Sequence, residues 1–180
     1  TGIPLPSLTS IQFGGASMGY AAIQKLRSRF GADLMEEYAS TEASIAGVAA
    51  GGLLDLRQFG PPLFAPVLPV EILDNGIPVP VGREGTVRIR SPSLGSPFDG
   101  SLKCRPNDGW FYPGDLAVLN ERRYLFFKGR ADDVINKSGV KFYPIELENA
   151  LKCHSQVLDA AVIAWPHPFH GQVPIAFVTC

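Results

Sequence analysis

GRADDVINKSGVKFYPIELE, residues 129–148, is the stretch that decides the fold this sequence predicts. It opens with a Gly-Arg pair and two adjacent aspartates, and two short runs of β-forming residues then flank a turn at Gly139. Pro144 follows, at the first-turn position where a helix tolerates proline. The pattern predicts a hairpin that leads into a helix. We therefore expect a hinge at the Gly-Arg pair, between a larger amino-terminal part and a smaller carboxy-terminal domain.

Residues 1–59 predict a βαβ unit. A short β-type run at 11–13 ends in two glycines, residues 17–30 carry apolar side chains at helical spacing, and 34–38 form a second β-type run. This order favours parallel strands joined by a helical crossover. Because parallel strands end at the same edge of a sheet, the two loops that follow them should lie side by side, where open α/β sheets bind ligands.

Residues 60–129 differ in character, because frequent prolines exclude long helices and interleaved apolar residues favour short antiparallel strands. Beyond the hinge, we expect a helix from Pro144 and two apolar strands at 157–165 and 175–179. The predicted fold class is α/β, mixed α+β. Its parts are the end of a βαβ parallel-sheet subdomain (1–59), a small antiparallel β subdomain (60–129), and a hinged, small α+β C-terminal domain (130–180).

The composition argues against several classes of function. A net charge of −1, with the 16 basic residues spread along the chain, disfavours nucleic-acid binding, which needs clustered Lys and Arg. The 3 scattered cysteines suggest neither a disulfide framework nor a metal site, and they favour a reducing, cytoplasmic setting. No apolar run reaches the ~18 residues of a membrane span. The start at Thr1 and the end inside an apolar run suggest a piece of a longer protein.

Thr41 and Glu42, in the loop predicted after the second strand, are the first candidates for chemistry. A hydroxyl can hold a phosphate oxygen, and a carboxylate can hold Mg²⁺, which takes one or two carboxylates together with substrate phosphates. An exposed polar turn is the alternative interpretation. Gly14 and Gly15 favour a ligand site, because residues without side chains let a flat ligand approach the backbone.

Asp115 and Arg130 are the second pair of candidates. An aspartate that follows a Pro-Gly turn can accept hydrogen bonds from both hydroxyls of a ribose, although aspartate is also a common turn residue. Arg130 carries a planar fork suited to phosphate or ribose oxygens, and a surface salt bridge is its alternative role. The three histidines lack the spacing of a metal site.

The order of these motifs resembles the adenylate-forming superfamily, which includes acyl- and aryl-CoA synthetases, luciferases and nonribosomal peptide adenylation domains. The resemblance spans nearly the whole chain. It rests on the following motifs in this order: Gly14, Gly15 and Ala16; Tyr38, Ala39, Ser40, Thr41 and Glu42; Gly114, Asp115 and Leu116; Gly129, Arg130, Ala131, Asp132 and Asp133; Lys137, Ser138 and Gly139; and Glu146, Leu147 and Glu148.

The resemblance implies an activity and a set of nucleotide contacts. The family activates a carboxylic acid with ATP, forming an acyl-adenylate and pyrophosphate, and then passes the acyl group to a thiol. By this resemblance Glu36 would face the adenine amino group and Tyr38 would stack on the ring. The segment of Gly14, Gly15 and Ala16 would line the adenine and acyl side, and the loop of Ala39 and Ser40 would complete the nucleotide site.

Further roles follow from the same resemblance. Thr41 would contact the α-phosphate, Glu42 would hold Mg²⁺, and Asp115 would bind the ribose hydroxyls with Arg130 beside it. Asp132 would be the pivot of the hinge, and Gly139 would lie along the path of the CoA pantetheine. The resemblance thus implies that Thr41, Glu42, Arg130 and Asp132 take part in catalysis, with ATP or AMP, Mg²⁺ and CoA as cofactors.

The chain departs from the family pattern at two positions, with Ala39 in place of a glycine and Pro113 in place of a threonine. We expect the family's phosphate loop upstream of Thr1 and its adenylation lysine downstream of Cys180, so the chain alone should be inactive. The predicted function is the carboxy-terminal portion of an acid–CoA ligase. The alternatives are a ligase that loads a phosphopantetheinyl carrier protein and a module that binds a nucleotide without turnover.

Overall fold

The computed structural model describes residues 7–16, 18–55, 63–94, 104–105 and 108–180. Within these ranges the strands are β1 (Ser10–Gly14), β2 (Asp33–Ser40), β3 (Ser44–Ala50), β4 (Leu63–Pro66), β5 (Val70–Asp74), β6 (Ile77–Pro78), β7 (Glu84–Arg90), β8 (Cys104–Arg105), β9 (Trp110–Phe111), β10 (Asp115–Leu119), β11 (Leu125–Arg130), β12 (Ile135–Lys137), β13 (Val140–Phe142), β14 (Asp159–His167) and β15 (Gly171–Thr179). The helices are α1 (Tyr20–Phe30), α2 (Gly52–Asp55) and α3 (Pro144–Lys152), with a 3₁₀ helix at Ala131–Asp133. Across this described part of the chain, no helix combines the length and apolarity needed to cross a membrane.

The predicted βαβ unit is confirmed. Strands β1 and β2 pair in parallel, with Gly14 opposite Glu37 at their carboxyl ends. Helix α1 runs between them and buries Ile23 completely. It begins at Tyr20, later than the predicted 17, and residue 17 itself lies outside the described residues. Gly31 ends the helix with a φ of 61°, a left-handed conformation that suits glycine at this position.

One large sheet contains most of the remaining strands, in the order β1-β2-β3-β4-β11-β10-β7-β5-β6. Strand β4 pairs with β3 on one side and with β11 on the other, so the strands of the proline-rich region continue the sheet of the βαβ unit. A single cluster of buried side chains, including Ile23, Val87 and Leu125, packs along this sheet. This continuity brings the carboxyl ends of β1 and β2 into one pocket with Asp115 and Arg130 of the paired strands β10 and β11.

The small sheet follows the hinge, with the order β13-β12-β15-β14. The hairpin and helix predicted from residues 129–148 are present as β12, β13 and α3, with Gly139 at a φ of 87° in the turn and Pro144 in the first turn of the helix. The two predicted apolar strands are β14 and β15, which form a longer antiparallel hairpin than expected. The mixed α/β class is therefore confirmed.

Candidate functional site

The carboxyl ends of β1 and β2 form one side of a cavity of about 260 Å³. Gly14 ends β1 so close to β2 that a Cβ atom there would lie 3.2 Å from the carbonyl oxygen of Glu37. Gly15 follows with a φ of 85°, and it lines the cavity together with Ala16 and Ala39. Small residues on this side leave backbone exposed to a ligand.

Tyr38 crosses the cavity from β2 towards the neighbouring strands. An irregularity in the pairing of β2 with β3 falls between Tyr38 and Ala39, and such bulges redirect side chains. The Tyr38 ring lies between Phe64 and Phe127, with centroid distances of 5.7 Å to each. Its hydroxyl donates a hydrogen bond of 2.5 Å to Oδ2 of Asp115. Burial raises the pKa of Tyr38 far above its ordinary value, and the negative charge of Asp115 raises it further.

Asp115 and Arg130 face each other across the antiparallel strands β10 and β11. Nη1 of Arg130 donates to Oδ1 of Asp115 at 2.9 Å, and also to the carbonyl oxygen of Pro113. Gly114 permits this approach, because a Cβ atom there would lie 3.1 Å from Nη2 of Arg130. Asp115 is only 6% exposed, so the guanidinium compensates a buried charge.

The Asp115 carboxylate keeps acceptor capacity for a ligand. An ionised carboxylate has about four acceptor positions. The structure shows one hydrogen bond to each of its oxygens, from Tyr38 and from Arg130. The carboxylate can therefore accept from two ligand hydroxyls while both protein contacts persist.

Further lining of the cavity comes from Glu36 of β2 and from α3. Glu36 is 1% exposed, and its Oε1 lies 3.5 Å from the backbone nitrogen of Met18. Ile145, near the start of α3, reaches the same cavity from beyond the hinge. The cavity is lined by Gly15, Ala16, Glu36, Glu37, Tyr38, Ala39, Phe64, Asp115, Phe127, Arg130 and Ile145.

Several candidates from the sequence lie outside this lining. The Ser40 hydroxyl accepts a hydrogen bond of 3.0 Å from the backbone of Ala43 and closes the turn that contains Thr41 and Glu42. Thr41 is exposed and Glu42 is partly exposed. Neither Thr41 nor Glu42 lines the cavity, although both follow closely after Ala39, which does.

The hinge candidates lie elsewhere again. Asp132 is in the 3₁₀ helix and lines a second groove, of about 490 Å³, between the hinge and the small sheet. Gly139 is in the turn between β12 and β13, where its backbone N–H donates to Oδ1 of Asn136 at 2.9 Å. Neither residue lines the cavity around Asp115.

Sequence reasoning missed four lining residues, namely Glu37, Phe64, Phe127 and Ile145. Glu37 lies between Glu36 and Tyr38, two residues that were predicted for the site, so its position in the sequence could have identified it. The other three belong to β4, β11 and α3, and only the sheet order and the domain packing bring them together. Among the residues that the structure describes, no group of three or more His, Cys, Asp or Glu side chains could hold a metal ion.

The comparisons with known proteins identify the family. The chain belongs to the AMP-binding enzyme family, whose family model matches residues 2–97. The model of the AMP-binding enzyme C-terminal domain matches residues 146–180. These matches confirm the resemblance to adenylate-forming enzymes, and they fall on the two sides of the hinge.

Individual relatives agree with this assignment. The protein 4-coumarate–CoA ligase-like 4 of Oryza sativa subsp. japonica is 30% identical, over 98% of this chain and 33% of its own length. The mitochondrial acyl-coenzyme A synthetase ACSM3 of Homo sapiens is 34% identical, over 86% of this chain and 28% of its own. The anthranilate CoA ligase AuaEII, solved in complex with anthranoyl-AMP, has a TM-score of 0.79 at 25% identity, over 96% of this chain and 34% of that chain. This chain thus spans about a third of the length of the curated relatives it matches.

Proposed function

We propose that this chain is the nucleotide-holding, carboxy-terminal portion of an AMP-forming acid–thiol ligase. Such an enzyme joins a carboxylic acid to ATP, releases pyrophosphate, and transfers the acyl group from the adenylate to the thiol of CoA. The family match and the names of the relatives support this activity. The observation that carries the proposal is the chain of hydrogen bonds from Tyr38 through Asp115 to Arg130 beside a cavity at the sheet edge.

The cavity provides a suitable place for the nucleoside. Gly15 and Ala16 present backbone to a flat base, and the Tyr38 ring borders the same space. The buried Glu36 would accept from the exocyclic amino group of adenine. Asp115 would accept from the two ribose hydroxyls, because its carboxylate has acceptor positions beyond those used by the protein.

The phosphates would then extend past the mouth of the cavity. From the exposed turn after β2, the Thr41 hydroxyl would donate a hydrogen bond to an oxygen of the α-phosphate. The fork of Arg130, 43% exposed, is a further donor for phosphate or ribose oxygens. Glu42 supplies a single carboxylate, which suits Mg²⁺ because this ion takes one or two carboxylates together with substrate phosphates. A bound Mg²⁺ would neutralise phosphate charge.

These residues would act by positioning and charge stabilisation. The carboxylate of the acid attacks the α-phosphorus, and the bond from that phosphorus to the leaving pyrophosphate oxygen breaks. Donors that are already oriented lower the barrier, since charge develops on the α-phosphate oxygens. The later attack of the thiol on the acyl carbon releases AMP. Asp132 would be the pivot between these two steps, and Gly139 would lie along the thiol path in the second step.

The partners proposed are a small carboxylic acid and CoA. The cytoplasm is the proposed compartment, on the basis of the scattered cysteines. The exposed state of Cys153 and Cys180 is consistent with reduced thiols. The relative ACSM3 is a mitochondrial protein by name, so fractionation of the source cells is the measurement that decides the compartment.

The experiment that tests the site is calorimetric titration of this chain with AMP, 2′,3′-dideoxy-AMP and GMP. We expect saturable binding of AMP and binding that is weaker by about tenfold or more for the dideoxy nucleotide, because hydrogen bonds to a charged group are lost. We expect GMP to bind more weakly as well, since its carbonyl would oppose Glu36. Equal affinities for AMP and dideoxy-AMP, in a chain shown to be folded, would contradict the ribose assignment.

A further inference from the structure

The start of α3 is fastened to the large sheet by a group of interlocking polar contacts. The hydroxyl of Tyr143 donates to the Glu84 carboxylate, 2.5 Å from Oε1 and 2.6 Å from Oε2. Nζ of Lys128 lies 2.7 Å from Oε1 of Glu146 and 5.3 Å from the centre of the Tyr143 ring. Nζ of Lys141 lies 3.8 Å from Glu84. We call these five residues the clamp.

The clamp spans the hinge. Glu84 and Lys128 belong to β7 and β11 of the large sheet, whereas Lys141, Tyr143 and Glu146 follow the 3₁₀ helix of the hinge. The clamp contains two glutamates and two lysines, so its positive and negative charges are equal in number. The side chains of Glu84 and Lys128 are only 28% and 25% exposed. Solvent and salt therefore screen their interactions less than those of fully exposed side chains.

Ile145 lies between Tyr143 and Glu146 of the clamp and lines both the proposed nucleotide cavity and the second groove. It lines that cavity together with Tyr38 and Asp115. Its Cγ2 atom lies 3.8 Å from the place a Cβ would occupy on Gly129, the residue at which the hinge begins. Pro144 fixes the backbone between the Tyr143 anchor and Ile145. The anchor and the cavity wall are therefore mechanically coupled.

We propose that the clamp fixes the position of Ile145 in the wall of the nucleotide cavity, so that loss of the Tyr143–Glu84 contact loosens the start of α3 and weakens nucleotide binding. The wall function rests on the proposed nucleotide site, whereas the clamp rests on contacts that do not involve a ligand. Ile145 is a positioning residue in this scheme, since it limits the space of the nucleotide without taking part in the chemistry.

The test compares Tyr143→Phe and Glu84→Ala, which remove the donor and the acceptor of the anchor, with Ile145→Ala, which shortens the wall and leaves the anchor intact. Tyr124→Phe, a hydroxyl deletion in the turn before β11, is the matched control. Amide hydrogen exchange of the segments 129–133 and α3 reports on the clamp. Calorimetric titration with AMP reports on the wall, and circular dichroism confirms folding.

We expect Tyr143→Phe and Glu84→Ala to accelerate amide exchange in α3 and in residues 129–133 by about tenfold or more, because each variant loses a hydrogen bond to a charged group. The double variant should match Glu84→Ala, because that single change already removes the contact with Tyr143. Both variants should weaken AMP binding by a similar factor. Ile145→Ala should weaken AMP binding without accelerating exchange, and Tyr124→Phe should change neither property.

Unchanged exchange in both anchor variants would overturn the clamp. An unchanged AMP affinity in Ile145→Ala, with AMP bound by the wild-type chain, would overturn the wall function alone. Failure of the wild-type chain to bind AMP would overturn the proposed function and the wall together, while the exchange data would still decide the clamp.

Discussion

The hydroxyl of Tyr38 donates a hydrogen bond of 2.5 Å to Asp115, a residue 77 positions later in the chain. The bond joins the end of the βαβ unit to the central strand β10. It orients one carboxylate oxygen of Asp115, while Arg130 orients the other. The acceptor is thus positioned before a ligand arrives, which lowers the cost of ordering on binding.

Asp115→Ala should remove the discrimination between AMP and its dideoxy analogue. The variant loses hydrogen bonds to a charged acceptor, about 1.5–3 kcal/mol, so AMP affinity should fall roughly tenfold to a hundredfold. Arg130 is 43% exposed and can be hydrated after the change, so the chain should remain folded. The measurement is calorimetry with both nucleotides. Asp74→Ala, at the exposed end of β5, is the control. An Asp115→Ala variant that still prefers AMP to the dideoxy analogue would exclude Asp115 as the ribose ligand.

Tyr38→Phe should have an effect on stability that depends on pH. In the unfolded chain the phenol ionises near the ordinary pKa of 10.0, whereas burial and Asp115 keep it protonated in the folded chain. Above pH 10 the unfolded state therefore binds fewer protons, and the free energy of unfolding of the wild type falls. The stabilisation by Tyr38 is fully present below that pH and is lost as the pH rises.

The Phe variant lacks this ionisation. We expect it to be less stable than the wild type by about 1.5–3 kcal/mol near pH 8, because it loses a hydrogen bond to a charged group. The difference in the free energy of unfolding between the wild type and the variant should narrow above pH 10, by at most about 1.4 kcal/mol per pH unit. Urea unfolding of the wild type and of the variant at pH 8 and pH 11 measures this difference. The ionisation of Tyr143 affects the two proteins equally and cancels in the comparison. A difference that stays constant with pH would show that the Tyr38 pKa is not raised.

Gly85→Ala should destabilise the large sheet strongly. A Cβ atom at Gly85 would overlap the carbonyl oxygen of Leu73 and approach Cγ2 of Ile72 to 3.0 Å. Backbone must move to relieve this overlap, so we expect a loss of about 3 kcal/mol in the free energy of unfolding. Gly52→Ala is the control, since no atom lies within 4 Å of its added Cβ. Urea denaturation measures the free energy of unfolding. Equal losses in Gly85→Ala and Gly52→Ala would contradict the close approach of Gly85 to Leu73.

Asp132→Pro should affect the second half-reaction more than the first in the complete protein. Proline fixes φ at the proposed pivot and disfavours the helical conformation of Ala131 before it, so rotation of the small domain should be hindered. Pyrophosphate release measures adenylate formation, and thioester formation measures the transfer. Asp132→Ala is the control because it keeps φ free. Equal slowing of the two half-reactions in the proline variant would argue against a pivot at this position.

The local features of the fold could be predicted from residues close together in the chain. Gly139 and Pro144 each satisfy a backbone requirement of their own segment, and the hairpin and helix are found where the pattern predicted them. The parallel pair β1 and β2 followed in the same way from the spacing of apolar residues. Neighbouring residues carry these signals, so sequence alone suffices.

The contacts of the candidate site depend on strand order instead. The pairing of β4 with both β3 and β11 joins the βαβ unit to the strands of Asp115 and Arg130, and no periodicity in the sequence encodes it. The same pairing places Phe64 and Phe127 on either side of Tyr38. Ile145 belongs to α3 and reaches the cavity next to Tyr143, whose hydroxyl bonds to Glu84 of the large sheet.

The sequence by itself therefore determined the class of fold and the order of the family motifs, because local propensity and spacing govern them. The tertiary structure alone decided that Tyr38 and Arg130 share the carboxylate of Asp115, and that Thr41 and Glu42 stay on the exposed turn. The physical reason is distance along the chain. Hydrogen bonds and packing between residues far apart in sequence depend on the relative placement of whole strands, which no single segment specifies.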